Sequence, residues 1–235
     1  AVAPAEFMRI LVDDYGLEWD VAWEATCKTM SYTNHTILSE ALEKWHTGLF
    51  SYVLPRVYQI IVEIDNRYIS RMSAQGVDYE TIENTRIVRN NQIHMAHLAI
   101  IGGHSVNGVA KLHTELLKED TLRDFYKISP EKFNNKTNGI VQRRWTQIAA
   151  PHLSQTIDKW IGDGWRSDIH ELRKLNDFVD NPDAQADFWQ VKQESKQRLA
   201  DYIEKTTGVH VNSQAIFDVQ VKRLHAYKRQ LLNVL

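Results

Sequence analysis

The sequence has little of what cross-links or interrupts a chain. One cysteine, Cys27, stands in 235 residues, which excludes an internal disulfide framework and makes the cytoplasm the expected compartment. With 10 glycines and 5 prolines there is no Gly/Ser linker, no low-complexity tract and no internal repeat, so helix is expected to dominate. Neither sign of charge prevails. Lys and Arg number 28 against 30 Asp and Glu, a formal net charge of −2, so nothing draws the whole chain to nucleic acid or to a membrane surface. Any anion site must be local. Ala1-Val2-Ala3-Pro4 has neither a basic n-region nor a long apolar run. No methionine opens the chain, and Gln230 to Leu235 runs into an apolar helical pattern without a capping glycine. A piece of a longer protein is therefore expected.

What is present suffices for a sizeable core, with 43% of residues hydrophobic. Leu42, Trp45, Leu49, Val53, Val57, Ile61, Ile64 and Tyr68 recur at three- and four-residue steps, which predicts one helix from Glu40 to Tyr68, kinked at Pro55. Val106, Val109, Ala110, His113, Leu116 and Leu117 predict a second helix after Gly102-Gly103. Asn181-Pro182, as cap and first helical residue, opens a third that ends before Gly208. The compact apolar run Met95 to Ile101 reads as a strand, and so does the alternating Ile216 to Val221. Strands scattered among helices predict an α/β fold, mostly helical, with parallel pairing. In such sheets ligands bind beyond the carboxyl ends of strands.

The densest chemistry is Val221 to Gln230, where Lys222, Arg223, Lys228 and Arg229 place four permanent cations within eight residues. At a strand-to-helix junction this predicts a phosphate grip, with Arg as a bidentate clamp and Lys as a point charge. A solvated basic helix face or a nucleic-acid patch explains the same composition. Asn134 to Ile140, followed by Arg143-Arg144-Trp145, is a polar, turn-rich stretch. Its amides suit sugar hydroxyls and its Trp suits a ring, while a plain inter-domain loop remains an alternative. His35, in Tyr32-Thr33-Asn34-His35-Thr36, is either a recognition residue or a structural histidine. His94, His97, His104 and His113 lack acidic or cysteine partners at ligand spacing, so no metal is predicted. Glu40 with Glu43 reads as an acid/base pair or as the charged start of a helix.

Three segments taken together resemble the α-glucan (glycogen, starch or maltodextrin) phosphorylases in order and spacing. They are Tyr32 to Glu43, Lys136 to Trp145, and Phe217 to Gln230. The resemblance implies a two-domain, Rossmann-like glycosyltransferase scaffold of GT-B type. It also implies pyridoxal phosphate as cofactor, α-1,4-glucan and inorganic phosphate as substrates, and glucose 1-phosphate released with retention. The site residues it implies are as follows. Lys222 matches the lysine beside the cofactor phosphate and Trp145 an aromatic of the cofactor pocket. Arg223 and Lys228 match the pair that grips the substrate phosphate, and Tyr227 a neighbour of the sugar. His35 matches the residue whose backbone carbonyl faces the glucosyl ring, Asn138 a contact to a sugar hydroxyl, and Val109 an apolar wall. Because the cofactor phosphate moves the proton, no glycosidase-like carboxylate pair is required.

Other implications concern extent. The family's cofactor lysine lies in a glycine-rich motif downstream of the Tyr-Lys-Arg-Gln segment, so no lysine here is expected to bind the cofactor covalently, and these 235 residues by themselves are expected to be inactive. Ser39 stands where many relatives have proline, a change that Ser accommodates as a helix cap. Residues 1–136 are expected to close the N-terminal domain and 137–235 to open the C-terminal, cofactor-binding one, in a parent that forms a homodimer. Nucleic acid and membrane are not expected partners. Two other readings stay open: a helical polyanion-binding module, and a sugar-nucleotide-dependent GT-B glycosyltransferase.

Overall fold

A computed structural model describes residues 2–235, the side chain of Tyr227 excepted. The chain divides into two compact units, Ala1–Gly139 and Ile140–Leu235. Helix predominates in both, and the strands are short.

In the first unit the helices are α1 (Ala3–Arg9), α2 (Trp19–Thr29), α3 (Thr47–Val53), α4 (Pro55–Ala74), α5 (Tyr79–Thr85), α6 (Met95–Ile101), α7 (Lys111–Leu116) and α8 (Arg123–Ile128). The strands are β1 (Ser31–Thr33), β2 (Lys44–His46), β3 (Val88–Arg89), β4 (Gln92–His94), β5 (Ser105–Gly108) and β6 (Phe133–Asn135). One sheet is parallel, in the order β1-β5-β6, with Tyr32 beside Val106 and Gly108 beside Asn135. The other is antiparallel, in the order β2-β4-β3. Its hairpin turns on Asn90 and Asn91, both at positive φ, the amide-rich chemistry that a tight turn between twisted strands selects.

The core gathers around α4 and α6. On α4, Val57, Ile60, Ile61, Ile64, Tyr68 and Met72 are buried at helical spacing. Asp65 lies 2% exposed among them. Its Oδ1 accepts the Ile87 N–H at 2.6 Å and its Oδ2 the Arg86 guanidinium at 3.0 Å, which compensates the burial of the charge.

In the second unit α9 (Gln142–Ala149) and α10 (Pro151–Ile161) precede a 3₁₀ stretch, Ile169–Phe178, and the long α11 (Pro182–Thr207). Trp165 is fully buried and donates its indole N–H to Asp158 at 2.9 Å. Trp160 does the same to Asp187 at 2.9 Å. The Asn181 side chain caps α11 by accepting from the N–H groups of Asp183 and Ala184, and Gly208 closes the helix at φ +74°. A single 3₁₀ turn, Ala226–Lys228, and α12 (Gln230–Val234) complete the unit.

Several sequence expectations are corrected. The helix expected from Glu40 to Tyr68 is a 3₁₀ turn, β2, α3 and α4 in succession. Pro55 opens α4 instead of kinking a longer helix, because the residue before a proline is barred from helical geometry, and Leu54 stands at φ −130°, ψ 63°. Ser39 lies within the 3₁₀ turn Ser39–Ala41, with no helix there to cap. Glu43 accepts the Trp45 indole N–H at 2.7 Å, and no helix starts at that point. Met95 to Ile101 is a helix, not a strand. Val106 belongs to β5, so the helix expected there begins only at Lys111. Ile216 to Val221 forms no strand, and Ile216 is 98% exposed.

Candidate functional site

Beyond the carboxyl ends of the parallel strands, three loops meet. After β1, the Asn34 N–H continues the ladder to the Asn107 carbonyl at 2.9 Å. After β5 and β6, the Lys136 N–H reaches the Gly108 carbonyl at 3.1 Å and the Asn138 N–H the Val109 carbonyl at 3.0 Å. His35, Val109 and Asn138, three of the residues singled out in the sequence, are thereby brought to one end of one sheet. His35 and Asn138 are exposed and Val109 is half-buried. The His35 carbonyl accepts no hydrogen bond among the described residues.

The support beneath these loops is polar, a role that the sequence does not reveal for its residues. Asn34, 1% exposed, accepts the Thr36 N–H on Oδ1 at 2.8 Å and donates from Nδ2 to the Tyr32 hydroxyl at 3.2 Å. His113 on α7 lies with Nδ1 3.1 Å from the Val109 nitrogen and Nε2 3.1 Å from Asn34 Oδ1. Burial, with the nearby His35, lowers the pKa of its imidazole, and burial raises that of the Tyr32 phenol. Next along α7, the Thr114 hydroxyl sits 3.0 Å from the Ala110 carbonyl and 2.9 Å from Asn135 Oδ1. Gly108 makes this approach feasible, since a Cβ there would collide with Thr114. In the sequence Asn34 is marked only as the neighbour of His35, and His113 only as one of four histidines and as part of a helical pattern. Their contact spans 79 positions, which no periodicity reports.

The remaining candidates lie in the second unit. Trp145 is on α9 and 67% exposed. Lys222 and Arg223 are exposed on an irregular segment, and Lys228 lies in the following 3₁₀ turn. The side chain of Tyr227 lies outside the described residues. The expected strand-to-helix junction is absent, so the cations are presented by a loop and one turn. Asp218 faces Asn233 at 2.6 Å and Gln220 at 3.4 Å. Neither Lys222 nor Arg223 forms an ion pair among the described residues.

The four histidines are dispersed. The rings of His94 and His97 lie 4.7 Å apart, and His104 contacts the Cys27 carbonyl. Among the described residues no group of three or more His, Cys, Asp or Glu is arranged to hold a metal ion.

A parallel sheet with helices, and a polar loop cluster beyond its strand ends, defines an α/β ligand-binding class. The chain belongs to the carbohydrate phosphorylase family, whose description matches residues 1–235. It is 51% identical to the glycogen phosphorylase of Bacillus subtilis (strain 168), over all of this chain and 30% of that protein. It is 47% identical to the cytosolic alpha-glucan phosphorylase 2 of Arabidopsis thaliana and 48% to the muscle-form glycogen phosphorylase of Oryctolagus cuniculus, in each case over all of this chain and 28% of the relative. The chain thus spans less than a third of the length of these relatives.

Proposed function

We propose that this chain contributes the glucosyl-contacting loops and the phosphate-gripping cations of an α-1,4-glucan phosphorylase. Such an enzyme transfers the terminal glucosyl unit to inorganic phosphate and releases glucose 1-phosphate with retention. The observation that carries the reading is the meeting of His35, Val109 and Asn138 beyond the ends of β1, β5 and β6, where open α/β sheets hold ligands. The two compact units correspond, in this reading, to the end of an N-terminal and the start of a C-terminal domain of a GT-B scaffold.

The chemistry assigned to each residue follows from its kind. A carbonyl that no internal donor uses, that of His35, suits the positive charge developing on the glucosyl ring as the bond breaks. The Asn138 amide suits a sugar hydroxyl, and Val109 keeps water from one side of the ring. Arg223 and Lys228 hold the incoming phosphate, Arg in bidentate fashion; Tyr227 flanks the sugar. Pyridoxal phosphate is the cofactor we propose, and two features fit it. Lys222 carries a charge that no carboxylate neutralises among the described residues, as a phosphate ester requires, and the exposed Trp145 indole offers an aromatic wall. Bound, the cofactor supplies a phosphate group able to relay a proton. The partners in this reading are a glucan and phosphate, not nucleic acid or membrane, in a cytoplasmic homodimer. Among the described residues no helix is long and apolar enough to cross a membrane.

The test is phosphate dependence. With maltodextrin, the full-length gene product should release glucose 1-phosphate only when inorganic phosphate is supplied, and Arg223→Ala should lower kcat/KM for phosphate by about 100-fold or more. Release of free glucose without phosphate uptake would sink the proposal.

A further inference from the structure

We infer that His113 is a positioning residue for the glucosyl site, its two ring nitrogens fixing the loop that carries His35 against the loop that carries Val109. The inference rests on the reading of the sheet end given above.

The direction of each hydrogen bond is determined. The Val109 N–H can only donate, so Nδ1 of His113, 3.1 Å away, must carry a lone pair. A neutral ring then bears its proton on Nε2, which points at Asn34 Oδ1 at 3.1 Å. The Asn34 amide cannot be flipped, because Oδ1 also accepts the Thr36 backbone N–H and Nδ2 reaches the Tyr32 hydroxyl. Burial favours the neutral ring, in keeping with its lowered pKa.

The ring therefore ties together parts that flank the candidate site. Asn34 holds residues on both sides of His35, through its own N–H on β5 and through Thr36, so the His35 peptide is fixed between two anchors. Val109, held at its N–H by His113, accepts the Asn138 N–H on its carbonyl. The three proposed sugar contacts at the sheet end, His35, Val109 and Asn138, thus hang from one imidazole. The ring is not free to withdraw, because α7 is pressed onto β5 at Gly108 and bound to β6 through Thr114 and Asn135. With both nitrogens engaged, His113 has no proton to exchange with a substrate. This makes it a positioning residue and not an acid or base.

The experiment uses the full-length gene product. His113→Ala removes both hydrogen bonds, whereas His113→Asn keeps an acceptor near the Nδ1 position. His113→Ala should lower kcat for phosphorolysis by about 10- to 100-fold, the order that misplacing reacting groups costs, and leave the KM for phosphate essentially unchanged. His113→Asn should recover part of the loss. Nitrogen-15 ring signals of His113 should show the Nε2–H tautomer. An unchanged kcat in His113→Ala, or a proton on Nδ1, overturns the inference. If His113→Ala does not fold, the tautomer and the Asn variant decide. Asn138→Ala serves as control. If it lowers kcat while His113→Ala does not, the inference alone fails; if the parent shows no phosphorolysis, or Asn138→Ala leaves kcat unchanged, the reading beneath it fails.

Discussion

At the scale of single residues, the first unit meets the polar groups Asp65, Thr85 and Asn34 of its interior with hydrogen bonds, while Asn134 Oδ1 is buried without one. His97 on α6 is met on one side only. One ring nitrogen meets the Arg86 carbonyl at 2.8 Å, while the other face packs edge-on against Phe125. Burial, opposed by the bond to Arg86, takes its pKa from 6.5 down to about 4. As the pH falls from 6.5 through 4, the unfolded chain takes up a proton that the folded chain refuses. Stability is therefore full above pH 6.5 and should fall by on the order of 2–3 kcal/mol across that window. Denaturant unfolding at pH 7 and pH 4.5 measures the fall, and His97→Gln should flatten it. A His97 ring that titrates near 6.5 in the folded protein would contradict the assignment.

Elements differ in how openly the sequence announces them. Helix α11 is written at both ends, by Asn181-Pro182 and by Gly208, and its boundaries agree with those signals. Asn181→Ala should cost about 1 kcal/mol and Asn181→Ser much less, read as shifts in the unfolding midpoint. Helix α6 carries no comparable signal. Every residue except His97 is buried, so no polar face marks a 3.6-residue period and the run looks like a strand. The parallel strands are of three or four residues, too short for alternation to register. Ile216 to Val221 errs the other way. Its alternation is strand-like, but no neighbouring strand among the described residues pairs with it. Where β5 meets α7, the Gly108 backbone lies so close to Thr114 that a methyl group has no space. Gly108→Ala should destabilise the protein by about 1–3 kcal/mol and, in the full-length gene product, reduce the proposed phosphorolysis as α7 is pushed from the sheet. An unchanged melting temperature would show that the contact yields without cost.

Over the whole molecule, the candidate site was legible as a set of types and not as a place. The segments around His35, Asn138 and Arg223 stand about 100 and 85 positions apart in the chain, and only the register of β1, β5 and β6 explains why the first of them shares a location with Val109 and the second. The proposed site residues divide between the units, with His35, Val109 and Asn138 in the first and Trp145, Tyr227 and the cations in the second. The cations are legible in the sequence from their density, but the alternation before them suggests a strand end, whereas a loop and a 3₁₀ turn present them. The polar clamp of Asn34 and His113 is not legible there, because one side chain resembles turn chemistry and the other an apolar helical face.

In the proposed function a glucosyl unit is held where the three parallel strands end. The measurement that reaches this placement most directly is the rate of glucose 1-phosphate release by the full-length gene product carrying Asn138→Ala, at saturating glucan and phosphate. Loss of a hydroxyl contact that strengthens in the transition state predicts a fall in kcat of about 10- to 100-fold with the melting temperature preserved. A variant that turns over at the parental rate would contradict the placement of the sugar at this end of the sheet.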